Sequence, residues 1–235
     1  MENIEVDTTP EAGPLSWREQ AVARSLDSAR LRAEGRVQRF LDAAIELLNT
    51  GSSRDFTVQE VVERSGQSLR SFYQYFGGKH ELLLALFEES VRSTVDHLRE
   101  QVSHQDTPLE SLHCFVVEYY RLCQRVEDQA TPSSVRPLIM AEFAQQLLTT
   151  HPKEAARAFV PLVALFEELL GLAATAGAIR DDLRSGPTVG VVLEVIMFNA
   201  FSSTISGSSV RPHDDGAAEE LWHFVLHGIG AGPSH

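Results

Sequence analysis

The sequence predicts an all-α fold, with a small amino-terminal three-helix unit built around a helix-turn-helix and a larger helical domain after it. Three observations carry this. Apolar residues recur three and four apart along most of the 235 residues, the spacing of one helix face. Ser, Thr or Pro heads these stripes, where a helix must satisfy its first N–H groups or can dispense with one. Glycine and proline stand where the stripes end. Charge marks the division. The formal net charge is −13, yet residues 15–80 hold ten basic residues against eight acids, while 81–235 hold ten against 21 and 1–14 hold four acids with no base. Only the amino-terminal third would tolerate a polyanion, and the acidic remainder would be turned away from it.

Taken in order, residues 1–14 are acidic, contain Pro10, Gly13 and Pro14, and read as a disordered tail. Residues 15–34 read as an extra helix. Ser16 with Glu19 forms a capping box, and Trp17, Ala21, Val22, Leu26 and Ala29 follow at helical spacing. Its Arg18, Arg24, Arg30 and Arg32 are either a solvated face or an arm that touches phosphates or the minor groove. Gly35 reads as a weak joint.

Residues 35–80 form the three-helix unit. Val37, Phe40, Leu41, Ala44, Ile45 and Leu48 make the apolar face of its first helix, which Asn49-Thr50-Gly51 ends. Thr57 caps the second helix, Glu60 completes a capping box, and Val58, Val61 and Val62 point inward. Ser65-Gly66 breaks it. Ser68 caps a third helix from Leu69 to about Phe76, with Phe72 and Phe76 inward and Arg70, Ser71, Gln74, Tyr73 and Tyr75 outward. Gly77-Gly78 stops it. Phe56 is expected to plug this core against Phe40 and Phe76. A helix, a glycine-bearing turn and a short polar-faced helix suit the major groove. The same spacing also serves an ordinary helical hairpin, which would do no more than pack.

The larger domain, 81–235, opens in a long helix from His80 to about Val102, whose free first N–H groups can hold a phosphate. Thr107-Pro108 starts a helix to about Glu127. Others are expected from about Val135 to Thr150, Lys153 to Ala176 (with Ala156, Phe159, Val163, Phe166 and Leu170 inward), Pro187 to Ser206, and Ala217 to Gly228. The helix after Pro187 is apolar on most sides and so is expected to be buried from two directions. The apolar stretch Val189 to Phe201 is too short to span a membrane and holds Glu194 and Asn199, so no membrane is expected. Cys114 and Cys123 lie on opposite sides of one helix and cannot bridge within it. Two thiols without a secretory signal favour the cytoplasm.

Thr57-Val58, Glu63-Arg64, Gly66, Ser68, Phe72-Tyr73, Tyr75-Phe76, Lys79 and Leu82, with Ala43-Ala44 upstream, resemble the helix-turn-helix of the TetR family in order and spacing. The likeness runs from about Arg36 to Leu86. Gln67 departs from a usual small aliphatic residue, and Val62 from a usual alanine. The resemblance implies a ligand-responsive homodimeric regulator, most simply a repressor. Its partners would be a double-stranded, pseudo-palindromic DNA operator and a small-molecule effector, and the last two helices would pair across a twofold axis. It further implies that Thr57, Tyr73, Tyr75 and Lys79 contact phosphates. Ser68, Leu69, Arg70 and Ser71 would read bases, with Gln67 altering sequence preference. Arg70 is the guanine reader of choice, because its fork matches O6 and N7.

Phe115, Tyr119, Tyr120, Met140, Phe143, Phe166, Met197, Phe198 and Phe201 exceed what a simple helix pair needs. They are either packed core or the lining of an effector cavity, and the resemblance favours the cavity. Tyr119, Tyr120, Cys123, Glu142 and Asn199 are its candidate polar contacts, and an acyl-type or otherwise hydrophobic molecule would suit it. No cofactor and no catalytic residue are expected. HExxH, a Walker-type phosphate loop and a dinucleotide glycine pattern are missing. His223 and His227, with Glu220 one turn earlier, have a spacing that can hold a metal but more often marks an exposed face, so no metal is assigned. The rival reading is a helical small-molecule-binding protein or enzyme whose amino-terminal hairpin is purely structural.

Overall fold

The computed structural model describes residues 16–50, 56–124, 143, 146–147, 149–180, 186–205 and 215–229. The predicted tail, the loop around 51–55, Met140, Glu142 and most of the predicted 135–150 helix lie outside these residues. Among them, eight α-helices follow one another: α1 (Trp17–Thr50), α2 (Val58–Ser65), α3 (Leu69–Tyr75), α4 (Lys79–Val102), α5 (Pro108–Gln124), α6 (Pro152–Thr175), α7 (Gly186–Ile205) and α8 (Asp215–Ile229).

The joint expected at Gly35 does not form, and α1 runs through it. A glycine in a helix interior costs only about 1 kcal/mol relative to Ala, and the neighbourhood offsets it. Arg30 Nε donates to Glu34 across 2.7 Å, and Arg39 Nε donates to the Gly35 carbonyl across 3.1 Å. Residues up to Arg39 form one compact unit and those from Phe40 another. Along the first unit, Trp17, Val22, Leu26 and Leu31 are all exposed.

In the second unit α1 buries Phe40, Ala44, Ile45 and Leu48, and α2 adds Val61 and Val62. The larger domain is held by α4 packing on α5 and α6, α5 also packing on α6, α7 and α8, and α6 on α7. Phe87 of α4 meets Phe159 of α6 edge-on, with centroids 5.3 Å apart. Phe115 of α5 stacks on Phe166 of α6 at 4.8 Å. Trp222 of α8 packs on His113, whose Nε2 lies 2.9 Å from Glu219. Thr107 and Glu110 form a reciprocal capping box at the start of α5.

The inward face of α6 is Ala155, Ala158, Leu162, Leu165, Phe166, Leu169 and Leu170, while Ala156 is exposed. Of the expected stripe, Phe166 and Leu170 are buried and Phe159 and Val163 half-buried, so only Ala156 falls on the outer face. Pro161 sits inside α6 without ending it. This helix, rather than the Val189–Phe201 stretch, is long and apolar enough to cross a membrane. Its packing on α4, α5 and α7 is that of a core helix. Burial of α7 is one-sided within this chain: Val189, Leu193, Ile196 and Ala200 are buried, but Val191 and Phe198 are exposed.

Candidate nucleic-acid interface

The site is built from two caps and an aromatic clamp. Thr57 has an extended backbone and accepts the Glu60 N–H. The Glu60 carboxylate in turn takes the Thr57 N–H at 2.7 Å and the Thr57 hydroxyl at 2.8 Å. The main-chain N–H and then the hydroxyl of Thr57 hold the Glu60 carboxyl below its ordinary value. Gly66 closes α2 at φ 64°, the left-handed conformation that a side chain resists. Ser68 then caps α3 by accepting the Ser71 N–H at 3.1 Å.

The underside of α3 is fixed by three rings. Phe72 lies 5.4 Å from both Phe40 and Phe76, and Phe40 lies 6.1 Å from Phe76. Arg64 ties α2 to α1 through Glu46 at 3.2 Å. With Phe72 and Phe76 buried, the opposite side of α3 faces solvent. Ser68, Leu69, Arg70, Tyr73 and Gln74 are exposed there, while Gln67 and Tyr75 are half-buried. Gln74, an amide able to pair with adenine, shares this face although it was not singled out as a base reader.

Ser71 departs from expectation. Its residue is half-buried, and its Oγ is buried without a hydrogen-bond partner. Its buried Oγ sets it apart from the exposed residues of the outer face. Lys79 is also less open than expected. It is half-buried with Nζ 4.6 Å over the Phe56 ring, and desolvation pulls its pKa down. The first turn of α4 has an occupant of its own, since Glu81 accepts the Gly77 N–H at 2.7 Å. A carboxylate there opposes the phosphate expected at that helix end. A Cβ on Gly77 would stand 2.6 Å from Glu81 Oε1, so this close approach requires glycine or movement of Glu81.

The effector candidates divide. Phe115, Tyr119 and Phe166 come together in the core, with Phe115 5.9 Å from Tyr119, and Tyr120 is buried on the same helix. The Tyr119 side chain bonds to the Cys123 thiol, and burial pushes that thiol up to about 12. Phe143 is buried beside His80 and Phe87. Met197 is half-buried. Phe198, at 74% exposed, and the exposed Asn199 stand on the open side of α7. The side chain of Phe201 lies outside the described residues. A surface groove of about 470 Å³ is lined by Glu167, Glu168, Leu170, Gly171, Leu172, Thr175 and Val189, none of them an effector candidate. Among the described residues, no group of three or more metal-binding side chains occurs.

Comparison with known proteins places the same segment. Residues 40–86 match the family described as bacterial regulatory proteins, tetR family. The chain is 27% identical over 93 residues to the HTH-type transcriptional regulator BetI of Brucella anthropi, covering 40% of this chain and 48% of that protein. It is 23% identical over 82 residues to the fatty acid metabolism regulator protein of Bacillus subtilis, covering 35% and 42%. The chain therefore spans about half the length of the curated relatives it matches. In fold it is similar to the fatty acid degradation regulator FadR of Bacillus halodurans, with TM-score 0.63 and 16% identity over 82% of this chain and 95% of that one. It is also similar to FadR of Thermus thermophilus, a TetR-family repressor solved with lauroyl-CoA, with TM-score 0.62 and 20% identity over 85% and 98%. The segment that matches the tetR family of bacterial regulatory proteins is thus the one that holds α2 and α3, and the helical layout of the chain is similar to that of the solved FadR proteins.

Proposed function

We propose that this protein is a ligand-responsive, DNA-binding transcriptional regulator acting in the cytoplasm, a repressor that leaves a pseudo-palindromic operator when a hydrophobic effector occupies the larger domain. The observation that carries the reading is the polarity of α3: Phe72 and Phe76 lock its underside while Ser68, Leu69, Arg70 and Tyr73 face outward. In this reading Arg70 reads a guanine, Ser68 and Leu69 contact neighbouring base edges, and Gln67 tunes preference. Tyr73, Tyr75, Lys79 and Thr57 hold phosphates, the last two only after yielding contacts they make in the unbound protein.

A twofold dimer supplies the second recognition helix. Exposed Val191 and Phe198 on α7 and Phe224 on α8 support pairing of these helices with their mates, which would cover α7 from its second side. The aromatic cluster of Phe115, Tyr119 and Phe166 supports an apolar effector. The acyl-CoA ligands of the structurally similar FadR proteins make an acyl chain the first class to test. Effector and operator oppose each other by linkage, so each weakens the other by the same factor.

The test is a gel shift of the full chain on the duplex just upstream of its own gene, at several salt concentrations, with and without acyl-CoA. Salt-sensitive, sequence-selective binding is expected. Binding of a small molecule with no duplex binding at any salt would instead establish a hairpin that only packs.

A further inference from the structure

Residues 17–39 carry six arginines and three carboxylates, and the two kinds are sorted onto different sides of the helix. At about 100° per residue, Arg18, Arg24, Arg32, Arg36 and Arg39 fall within an arc of about 120°. Asp27 and Glu34 occupy the other side, about 20° apart. The sixth arginine, Arg30, lies on that side too and pairs with Glu34 at 2.7 Å. All five arginines of the basic face are exposed. Arg32 and Arg39 lay their stems along the helix, with Nε donating to the Ser28 and Gly35 carbonyls at 3.1 Å each. Their terminal nitrogens are left for another acceptor.

We propose that this arginine face is a second DNA-contacting surface that binds phosphates of the duplex. Three observations argue for this occupant. The face presents five positive charges with no carboxylate among them, which suits a polyanion. The helix is the same α1 that supplies Phe40, Ala44 and Leu48 to the helix-turn-helix unit, without a break at Gly35. Its 17–39 portion is about 34 Å long, the length of roughly one duplex turn. Contacts of this kind add affinity and carry no sequence information.

The inference rests on the DNA-binding reading above, and the experiment separates the two. Binding of the full chain to its upstream duplex and to an unrelated duplex is measured from 50 to 300 mM salt by fluorescence anisotropy. A variant carrying Arg18→Gln, Arg24→Gln, Arg32→Gln, Arg36→Gln and Arg39→Gln is compared with wild type and with Arg30→Gln alone. Glutamine keeps nearly the helix propensity of arginine, and circular dichroism verifies that the helix is retained. The variant lacking all five arginines should make the negative slope of log K against log salt shallower by about 4 and weaken both duplexes on the order of 10²-fold, leaving their ratio unchanged. Arg30→Gln should match wild type. An unchanged slope in the variant lacking all five, including one caused by the arm resting on the protein's own acidic domain, overturns the inference while wild-type binding leaves the regulator reading standing. A wild type that binds neither duplex overturns both.

Discussion

The ring of Phe40 in α1 meets the ring of Phe72 in α3 edge-on, with centroids 5.4 Å apart and planes at 88°. This contact sets which side of the seven-residue α3 faces outward. Phe72→Ala should cost about 3–5 kcal/mol. Chemical denaturation with a probe in this domain should show it unfolding earlier, and duplex binding should fall with it.

Gly66 at φ 64° is the pivot between α2 and α3. Its Cβ position meets nothing within 4 Å, so the penalty of Gly66→Ala is conformational rather than steric. A loss of about 1–2 kcal/mol is expected. The measurement is the thermal midpoint; an unchanged midpoint would mean that the turn is not held in this conformation.

Arg70→Ala should cost about 1–3 kcal/mol of operator affinity and relax preference at one base-pair position. A base-by-base substitution series of the operator decides this. Equal weakening on every sequence would reassign Arg70 to a phosphate.

The Glu60 carboxyl is held below its ordinary value by the Thr57 N–H and hydroxyl. A depressed folded value means that the charged form is favoured in the native state. The contribution is therefore fully present above the ordinary carboxylate range and is lost as pH falls through the lowered value. Glu60→Gln should flatten the acid limb of stability between about pH 5 and 3, near and below the ordinary glutamate value. Parallel acid limbs for variant and wild type would remove Glu60 from this role.

Burial keeps the Cys123 thiol protonated, with its pKa pushed up to about 12, and Cys114 is raised as well. Both should alkylate more slowly than a free thiol at pH 8, Cys123 the slower of the two, because the thiolate is the reactive form. Mass spectrometry after timed iodoacetamide treatment reads the order. Fast loss of Cys123 would show that α5 opens.

Local chemistry made much of this legible from residues alone. The Thr57–Glu60 box, the left-handed Gly66, the Ser68 cap and the inward Phe72 and Phe76 each follow from interactions within a few positions, and so does the length of α4. Where a decision depended on neighbours distant in the chain, the sequence left more than one answer. Gly35 looks like a joint until the flanking Arg30–Glu34 and Arg39–Gly35 contacts bridge it. On α6, Ala155 and Ala156 read alike, and packing against α4, α5 and α7 buried the first and left the second exposed. Phe198 and Phe115 read alike as aromatic residues on apolar helices. Only the assembled helices put Phe115 on Phe166 and left Phe198 in solvent, because burial belongs to the arrangement of helices and not to the residue.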